Sequence, residues 1–386
     1  MDSMKHQILA LLFITNFILI LGFSLVFPLL PFYAREFGAS TFEIALVISA
    51  FPLMQFLFSP VWGKISDVIG RKPIILFSLT GSTISFILFG MAGSLFQLVL
   101  LRILHGISSS AGLPAVFAAG ADISTNKQRA AVMGTLGAAF SLAIVFGPAI
   151  GGILSSVSIQ FPFFVSAAVA LINLIFVYLI VPETNLNKRK KLDLSNSLIL
   201  TRIVPALRSK LAPIYSIQFI SFLSFAIVGV AFPLFALKRF GFGPVEVGYT
   251  FAFLGLAGAI TQGFIMGKAV EKYGEVLVIR VGLIFMAVSL FLIAFTPLPA
   301  LIALVLAIMS VGTSLINPSN NSYISKQAGK QQGFALGILN SFGSLSRFIG
   351  PLVVGLLFGK FGAEVVFLLA ASVAFLGILI SYRIPQ

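Results

Sequence analysis

Residues 63–70 read GKISDVIG, and a degenerate second copy, GKAVEKYG, stands at residues 267–274. Asp67 of the first copy falls against Glu271 of the second. Other stretches repeat in the same register. The Phe27–Pro28 pair recurs at Phe232–Pro233, FGASTFEI (37–44) at FGFGPVEV (240–247), and GPAIGG (147–152) at GPLVVG (350–355). The offsets stay between 203 and 205 residues, as a duplicated chain requires. Two halves follow, 1–181 and 213–386, with the polar interval 182–212 (PETNLNKRKKLDLSNSLILTRIVPALRSKLA) as the tether between them.

The solvent for most of this chain is lipid. Of its 386 residues 59% are hydrophobic and only 9% charged, with a mean hydropathy of +1.09. A water-soluble shell needs about 25% charged residues. A helix needs about 20 apolar residues to cross the hydrocarbon core. Runs of that kind predict twelve spans, at 7–33, 42–62, 73–93, 95–119, 130–154, 161–181, 213–237, 245–267, 276–296, 298–324, 333–358 and 363–382. The short alternating segments of a membrane barrel are not seen. The first run is too long for a cleaved leader and is read as a retained span. The expectation is an all-α integral membrane protein with six helices in each pseudo-symmetric half.

Charge sets the orientation. With the N-terminus inside, nineteen of the 25 basic residues fall on the inner side and four on the outer, Arg35, Lys238, Arg239 and Lys360. Arg102 and Arg347 fall within spans. Both termini are therefore expected in the cytoplasm of a cell whose plasma membrane the chain crosses. The net charge of +14 follows this positive-inside pattern and implies no nucleic acid. Lys188, Arg189, Lys190 and Lys191 read as a contact with anionic membrane lipids. With no cysteine, disulfides and thiol chemistry are excluded.

Like-oriented helical halves suit a carrier whose substrate binds between them and whose halves rock. The opening stretch fits that use. Gly63 and Gly70 allow close approach and a tight turn between antiparallel helices. Asp67 can face the positive end of a neighbouring helix. Arg71, followed by Lys72, offers a planar fork to a carboxylate, and Asp122 on the next inner junction is the expected partner. Pro73 begins the next helix where its missing N–H costs nothing.

GKISDVIGRKP (63–73) resembles the loop signature of the major facilitator superfamily, Gly-x-x-x-Asp-x-x-Gly-Arg-Lys/Arg. The resemblance covers the whole chain and implies a latch. Asp67 would sit at the start of the eleventh helix and Arg71 would bridge to Asp122, holding the inner side shut. The second copy keeps Gly267, Lys268, Glu271 and Gly274 but lacks the Arg–Lys pair, so its latch is expected to be weaker. RILHG (102–106) is similar to the fourth-helix pattern Arg-x-x-x-Gly. AIVFGPAIGG (143–152) is similar to the fifth-helix antiporter pattern, with Ala143 in place of its first glycine. Here Gly147, Gly151 and Gly152 form a small-residue face and Pro148 bends the span. LGFSLVFPLLP in the first helix resembles the twelve-span drug–proton antiporters.

That group often carries a carboxylate inside a membrane helix. In this chain all eleven acids lie at junctions or tails, and the first helix offers Thr15 and Asn16 instead. Polar residues at membrane depth default to functional candidates. They are Asn16, Arg102 with His105, Gln218 with Ser221, Thr313 with Asn317 and Asn320, and Asn340 with Ser344 and Arg347. These stripes are expected to face a central cavity, because lipid would leave them unpaired.

The expected activity is secondary transport by alternating access, proton-coupled export of drugs or other small amphipathic molecules. The alternative is an organic-anion or sugar carrier without proton coupling, favoured by two buried arginines and no buried acid. A membrane-embedded enzyme or a receptor is a remote third: no catalytic motif and no ATP-binding loop occurs. No cofactor or metal is expected. The partners are a small-molecule substrate, protons or another coupling ion, and membrane lipids; the chain is expected to work as a monomer.

Overall fold

The computed structural model describes residues 2–125, 128–185, 200–327 and 332–384, and among these the chain is almost entirely helical. The Lys188–Lys191 run lies outside the described residues. Helix is what lipid dictates, because every backbone N–H and C=O must be satisfied within the segment.

The first half contains α1 (Asp2–Val26), α2 (Leu30–Glu36), α3 (Thr41–Ile69), α4 (Arg71–Gly90), α5 (Leu95–Ser109), α6 (Gly112–Ile123), α7 (Arg129–Ser155) and α8 (Phe161–Ile180). The first expected span is broken around Pro28 into α1 and α2, and the fourth at Ser110–Ala111 into α5 and α6. The tether contributes a short helix, α9 (Leu200–Leu207). The second half contains α10 (Ala212–Phe240), α11 (Pro244–Ile260), α12 (Met266–Phe295), α13 (Pro299–Gln327) and α14 (Gln332–Ser381). A π-helical turn, Thr261–Ile265, joins α11 to α12.

Among the described residues, ten helical runs are long and apolar enough to cross a membrane. Two of them, Pro244–Phe295 and Ala335–Ser381, span 52 and 47 residues. At 1.5 Å per residue these would extend roughly 70–80 Å, more than twice the ~30 Å hydrocarbon core. Each contains a glycine outside the helical region, Gly274 (φ 78°, ψ 160°) and Gly362 (φ 85°, ψ 173°). Read as a pair of crossings each, they bring the segments to the twelve expected from hydropathy.

The duplication is visible in the backbone. Gly70 (φ 125°) corresponds to Gly274, and Gly38 (φ 73°) to Gly241 (φ 69°). Only glycine visits this region without strain. Helix starts repeat as well. Glu43 accepts the backbone N–H of Ser40 at 2.8 Å, and Glu246 accepts that of Gly243 at 2.8 Å.

The halves meet through α7 against α11 and α3 against α14. Close contacts run from the end of the bundle opposite the GKISDVIG loop to mid-helix, where a Cβ on Gly255 would stand 2.8 Å from Val145 Cα. A Cβ on Gly152 would stand 2.9 Å from Gly248 Cα, and one on Gly355 would stand 2.7 Å from Ala45 Cβ. One on Gly229 would strike the Phe27 ring. Large apolar side chains on the outside, among them Phe96, Ile84, Phe264 and Leu179, form the lipid-facing surface.

Candidate functional site

Helix periodicity identifies the residues that face the gap between the halves. On α14, Gly355 touches Phe42 and Ala45 of the opposite half. Ser344 lies eleven residues earlier, about three turns, and so points the same way. On α10, Gly229 touches Phe27 across the gap, and Phe222 lies seven residues earlier, about two turns. Phe222 and Arg347 meet there, with the guanidinium carbon 5.2 Å from the ring centroid. Arg347 Nη2 donates to Ser344 Oγ at 3.1 Å, while its Nε is buried without a partner. Arg347 is half-buried and Asn340, two turns earlier, is exposed.

Behind this wall the second half is tied by side-chain amides. Asn320 Nδ2 donates to Gln218 Oε1 at 2.8 Å, and Ser221 Oγ donates to Asn317 Oδ1 at 3.5 Å. Gln218 and Asn320 are buried, whereas Asn317 is half-buried. Gln218 therefore binds α10 to α13 rather than standing on the cavity wall.

Arg102 and His105 are brought together, but not where the stripe pattern placed them. Arg102 is fully buried, and His105 is 2% exposed. Both lie inside the first half, between α3, α4 and α5. The Arg102 guanidinium sits 4.7 Å over the Phe51 ring, and its Nε donates to Val47 O at 3.4 Å. The His105 ring is enclosed by Phe51 at 4.9 Å, Phe86 at 4.7 Å and Phe89 at 6.3 Å. Both guanidinium Nη atoms and His105 Nδ1 are buried without partners. Phe51 thus packs against both side chains inside the first half, where three of their nitrogen atoms are left unsatisfied. Asn16 is also internal. Its Nδ2 donates to Leu136 O at 2.7 Å, and Thr15 Oγ1 donates to Asn173 Oδ1 at 3.3 Å, tying α1 to α7 and α8.

At the opposite end, Arg71 organises the loop. It contacts Asp67 Oδ1 through Nη1 at 2.7 Å, Ser66 Oγ through Nη1 at 2.6 Å and Asp122 Oδ2 through Nε at 3.1 Å. Lys72 Nζ donates to Tyr178 O at 2.7 Å. Sequence reasoning missed the residues that hold this loop from the tether side. Glu183 Oε1 accepts the N–H of Arg71 at 2.9 Å and of Asn185 at 2.8 Å. Asn185 Nδ2 donates to Asp67 O at 3.1 Å, and Thr184 Oγ1 donates to Asp122 Oδ2 at 3.4 Å.

The second half has an ion pair at the corresponding positions with its signs exchanged. Glu275 stands 204 residues after Arg71 and Lys326 stands 204 after Asp122. Lys326 Nζ contacts Glu275 Oε1 at 2.5 Å, and Ser322 Oγ donates to the same oxygen at 2.8 Å. The missing Arg–Lys pair after Gly274 therefore does not leave that junction unbridged. Gly267 and Glu271 lie on its exposed surface.

Along α7 the small-residue face divides its work. Gly147 abuts Ser24, and a Cβ on Gly151 would stand 2.5 Å from Leu25 O, both on α1. Gly152 turns to Gly248 across the gap. Pro148 lies inside the helix between them, and its carbonyl faces Gly248.

Two helical halves in contact through α3–α14 and α7–α11, the second turning Ser344 and Phe222 towards the first, have the architecture of a membrane transporter of small molecules rather than an enzyme. The chain matches the Major Facilitator Superfamily over residues 12–214 and 214–385. It is 33% identical to Multidrug resistance protein 1 of Bacillus subtilis over 359 residues, covering 92% of this chain and 90% of that protein. It is 28% identical to the quinolone resistance protein NorA of Staphylococcus aureus over 355 residues, covering 92% and 90%. A bacterial homologue of the human lysosomal transporter Spinster superposes with a TM-score of 0.82 at 14% identity, over 100% of this chain and 98% of that one. This chain belongs to the major facilitator superfamily and is a multi-pass membrane protein with multidrug-resistance relatives.

Proposed function

We propose that this transporter exports small amphipathic molecules across the plasma membrane by alternating access, in exchange for protons. The observation that carries the alternating-access reading is that the close glycine contacts between the halves lie away from the GKISDVIG loop, while a Cβ on Gly134, Gly137, Gly263 or Gly267 would meet nothing within 4 Å. Gly152–Gly248, Gly355–Ala45 and Gly229–Phe27 close the end opposite the GKISDVIG loop. The positive-inside distribution makes that closed end the outer one. The present state then opens to the cytoplasm, where a substrate to be exported is collected. The units that rock are 1–181 and 213–386, with 182–212 as the tether, and one chain suffices for the cycle. In the opposite state Asp67 latches the start of α14.

Export is supported by the multidrug relatives, and proton coupling by His105, the histidine buried at membrane depth, since the acids stand only at span ends, junctions or tails. The test is transport by the purified protein in proteoliposomes, with an amphipathic fluorophore as probe. Saturable counterflow, and accumulation in an acidified lumen that a protonophore abolishes, are expected. Counterflow with no response to a pH gradient would remove proton coupling, and absence of saturable flux would remove transport of that class of molecule.

A further inference from the structure

We infer that the gap-facing wall of the second half recognises an anionic group, so that the preferred cargo carries a carboxylate or sulfonate beside an aromatic body. Arg347 is the recognising residue. The inference deepens the export reading and rests on it for the location of the site.

Arg347 carries a permanent charge at membrane depth. The eleven acids of the chain stand at span ends, junctions or tails, and Arg347 has no ion pair among the described residues, so its counter-charge has to come from beyond the helices around it. A guanidinium tied down for structural reasons would spend its donors on carbonyls. This one has a buried, unpartnered Nε and donates through Nη2 to a hydroxyl. Phe222 occupies the face of the guanidinium at 5.2 Å, which leaves the edge, where the N–H groups point, as its recognition surface. Ser344 accepts from Nη2 through its oxygen and keeps its own O–H for an acceptor at the same place. Ser344 and Phe222 both face the opposite half by helix periodicity. An anion seated there meets a fork, a hydroxyl and a flat apolar ring.

Arg102 cannot take this role in the present state. It is 0% exposed and packed over Phe51 inside the first half, whereas Arg347 is half-buried beside Ser344 and Phe222. A lipophilic cation would meet like charge at Arg347 with no paired acid to offset it. The wall therefore discriminates by sign as well as by shape.

Binding and counterflow of pyrene-1-butyrate, its methyl ester and tetraphenylphosphonium by the full chain in nanodiscs and proteoliposomes test this. The acid should bind at least tenfold more tightly than the ester, the cation most weakly. Arg347→Gln should weaken the acid roughly 10- to 100-fold, down to the ester's affinity, and leave the ester unchanged. Arg347→Lys should recover part of the loss. If Arg347→Gln does not fold, Ser344→Ala and the parent protein's acid-to-ester ratio carry the test, with a several-fold loss expected for the serine variant. Equal binding of acid and ester, or tetraphenylphosphonium binding as tightly as the acid, would overturn the inference. Saturable flux without preference for the acid sinks this proposal alone. Acid-selective binding without flux sinks the export reading and leaves the anion site standing.

Discussion

At Gly70 the chain turns through φ 125°, and the Glu183 carboxylate fills the space where any other side chain would begin. Two constraints coincide there, a backbone that favours glycine and a neighbour that excludes a Cβ. Glu183 also accepts the first N–H of α4, which has no intrahelical partner. The interval after the sixth span thus begins as a clamp on the GKISDVIG loop. Glu183→Gln keeps the shape and removes the charge, and Asp67→Asn does the same on the other side of Arg71. Contacts of this kind at helix ends are worth about 0.3–2 kcal/mol, enough to shift a balanced two-state equilibrium from about twofold to about thirtyfold. Both variants should assemble normally and transport more slowly. The chain has no native cysteine, so single introduced cysteines at either end of the gap report the shift by labelling rate. Normal flux with unchanged labelling would reduce the loop to a topology signal. Asp67, Arg71 and Asp122 were legible in the sequence because their motif is contiguous or on the neighbouring junction. Glu183 and Asn185 were not, because they approach from beyond the sixth span, in an interval whose composition reads only as a polar linker. The available signal was an acid directly after an apolar run, on the same side as Asp122.

Between elements, the duplication conserves geometry more faithfully than chemistry. Arg71–Asp122 and Glu275–Lys326 bridge equivalent helix ends with opposite polarity. A string comparison of GRKP with GEVL sees a lost motif, while the structure shows an exchanged one. The double variant Glu275→Arg, Lys326→Asp should therefore retain most transport, whereas either single variant sets like charges against each other and should lose several-fold. Lys326 is 65% exposed, so the single losses stay near or below about 1 kcal/mol. A double variant as impaired as both singles combined would show that the pair does not act as a bridge. Small residues allow a second test. Gly152→Val should prevent closure of the outer end, because its Cβ meets Gly248 and the Pro244 carbonyl. Gly134→Val, on the same helix with nothing within 4 Å of its Cβ, is the control. Transport lost in the first and kept in the second is expected; equal activity would remove close approach at GPAIGG from the cycle. The spans themselves were readable from hydropathy to within a few residues. The breaks at Pro28 and Ser110 were not, because apolar composition continues through them.

Across the molecule, charge is distributed in a way that links the two halves. The second half holds Arg347 beside Phe222 and Ser344, and the first half encloses Arg102 and His105 among Phe51, Phe86 and Phe89, with three nitrogen atoms unpaired. The sequence could show that these residues share a helix face; it could not show that α3 and α4 roof that face with Phe51, Phe86 and Phe89. In the proposed cycle a proton reaches His105 when these rings part, which ties protonation to a rearrangement of the first half. Imidazole is the one in-span side chain whose ordinary titration range includes neutral pH. The proposed exchange then follows: opening to an acidic exterior lets His105 load a proton as cargo leaves, and opening inward releases it. His105→Gln should abolish uphill transport driven by a pH gradient and preserve downhill counterflow, since the amide keeps much of the ring's shape and polarity but cannot carry the proton. Arg102→Ala should depress both, because it also empties the space over Phe51 and frees the Val47 carbonyl. Counterflow and pH-driven accumulation measured side by side in proteoliposomes separate these outcomes. Undiminished uphill transport by His105→Gln would remove histidine as the carrier. A matched loss of both activities in that variant would make His105 a packing residue, and the coupling group would then have to lie at a junction rather than within a span.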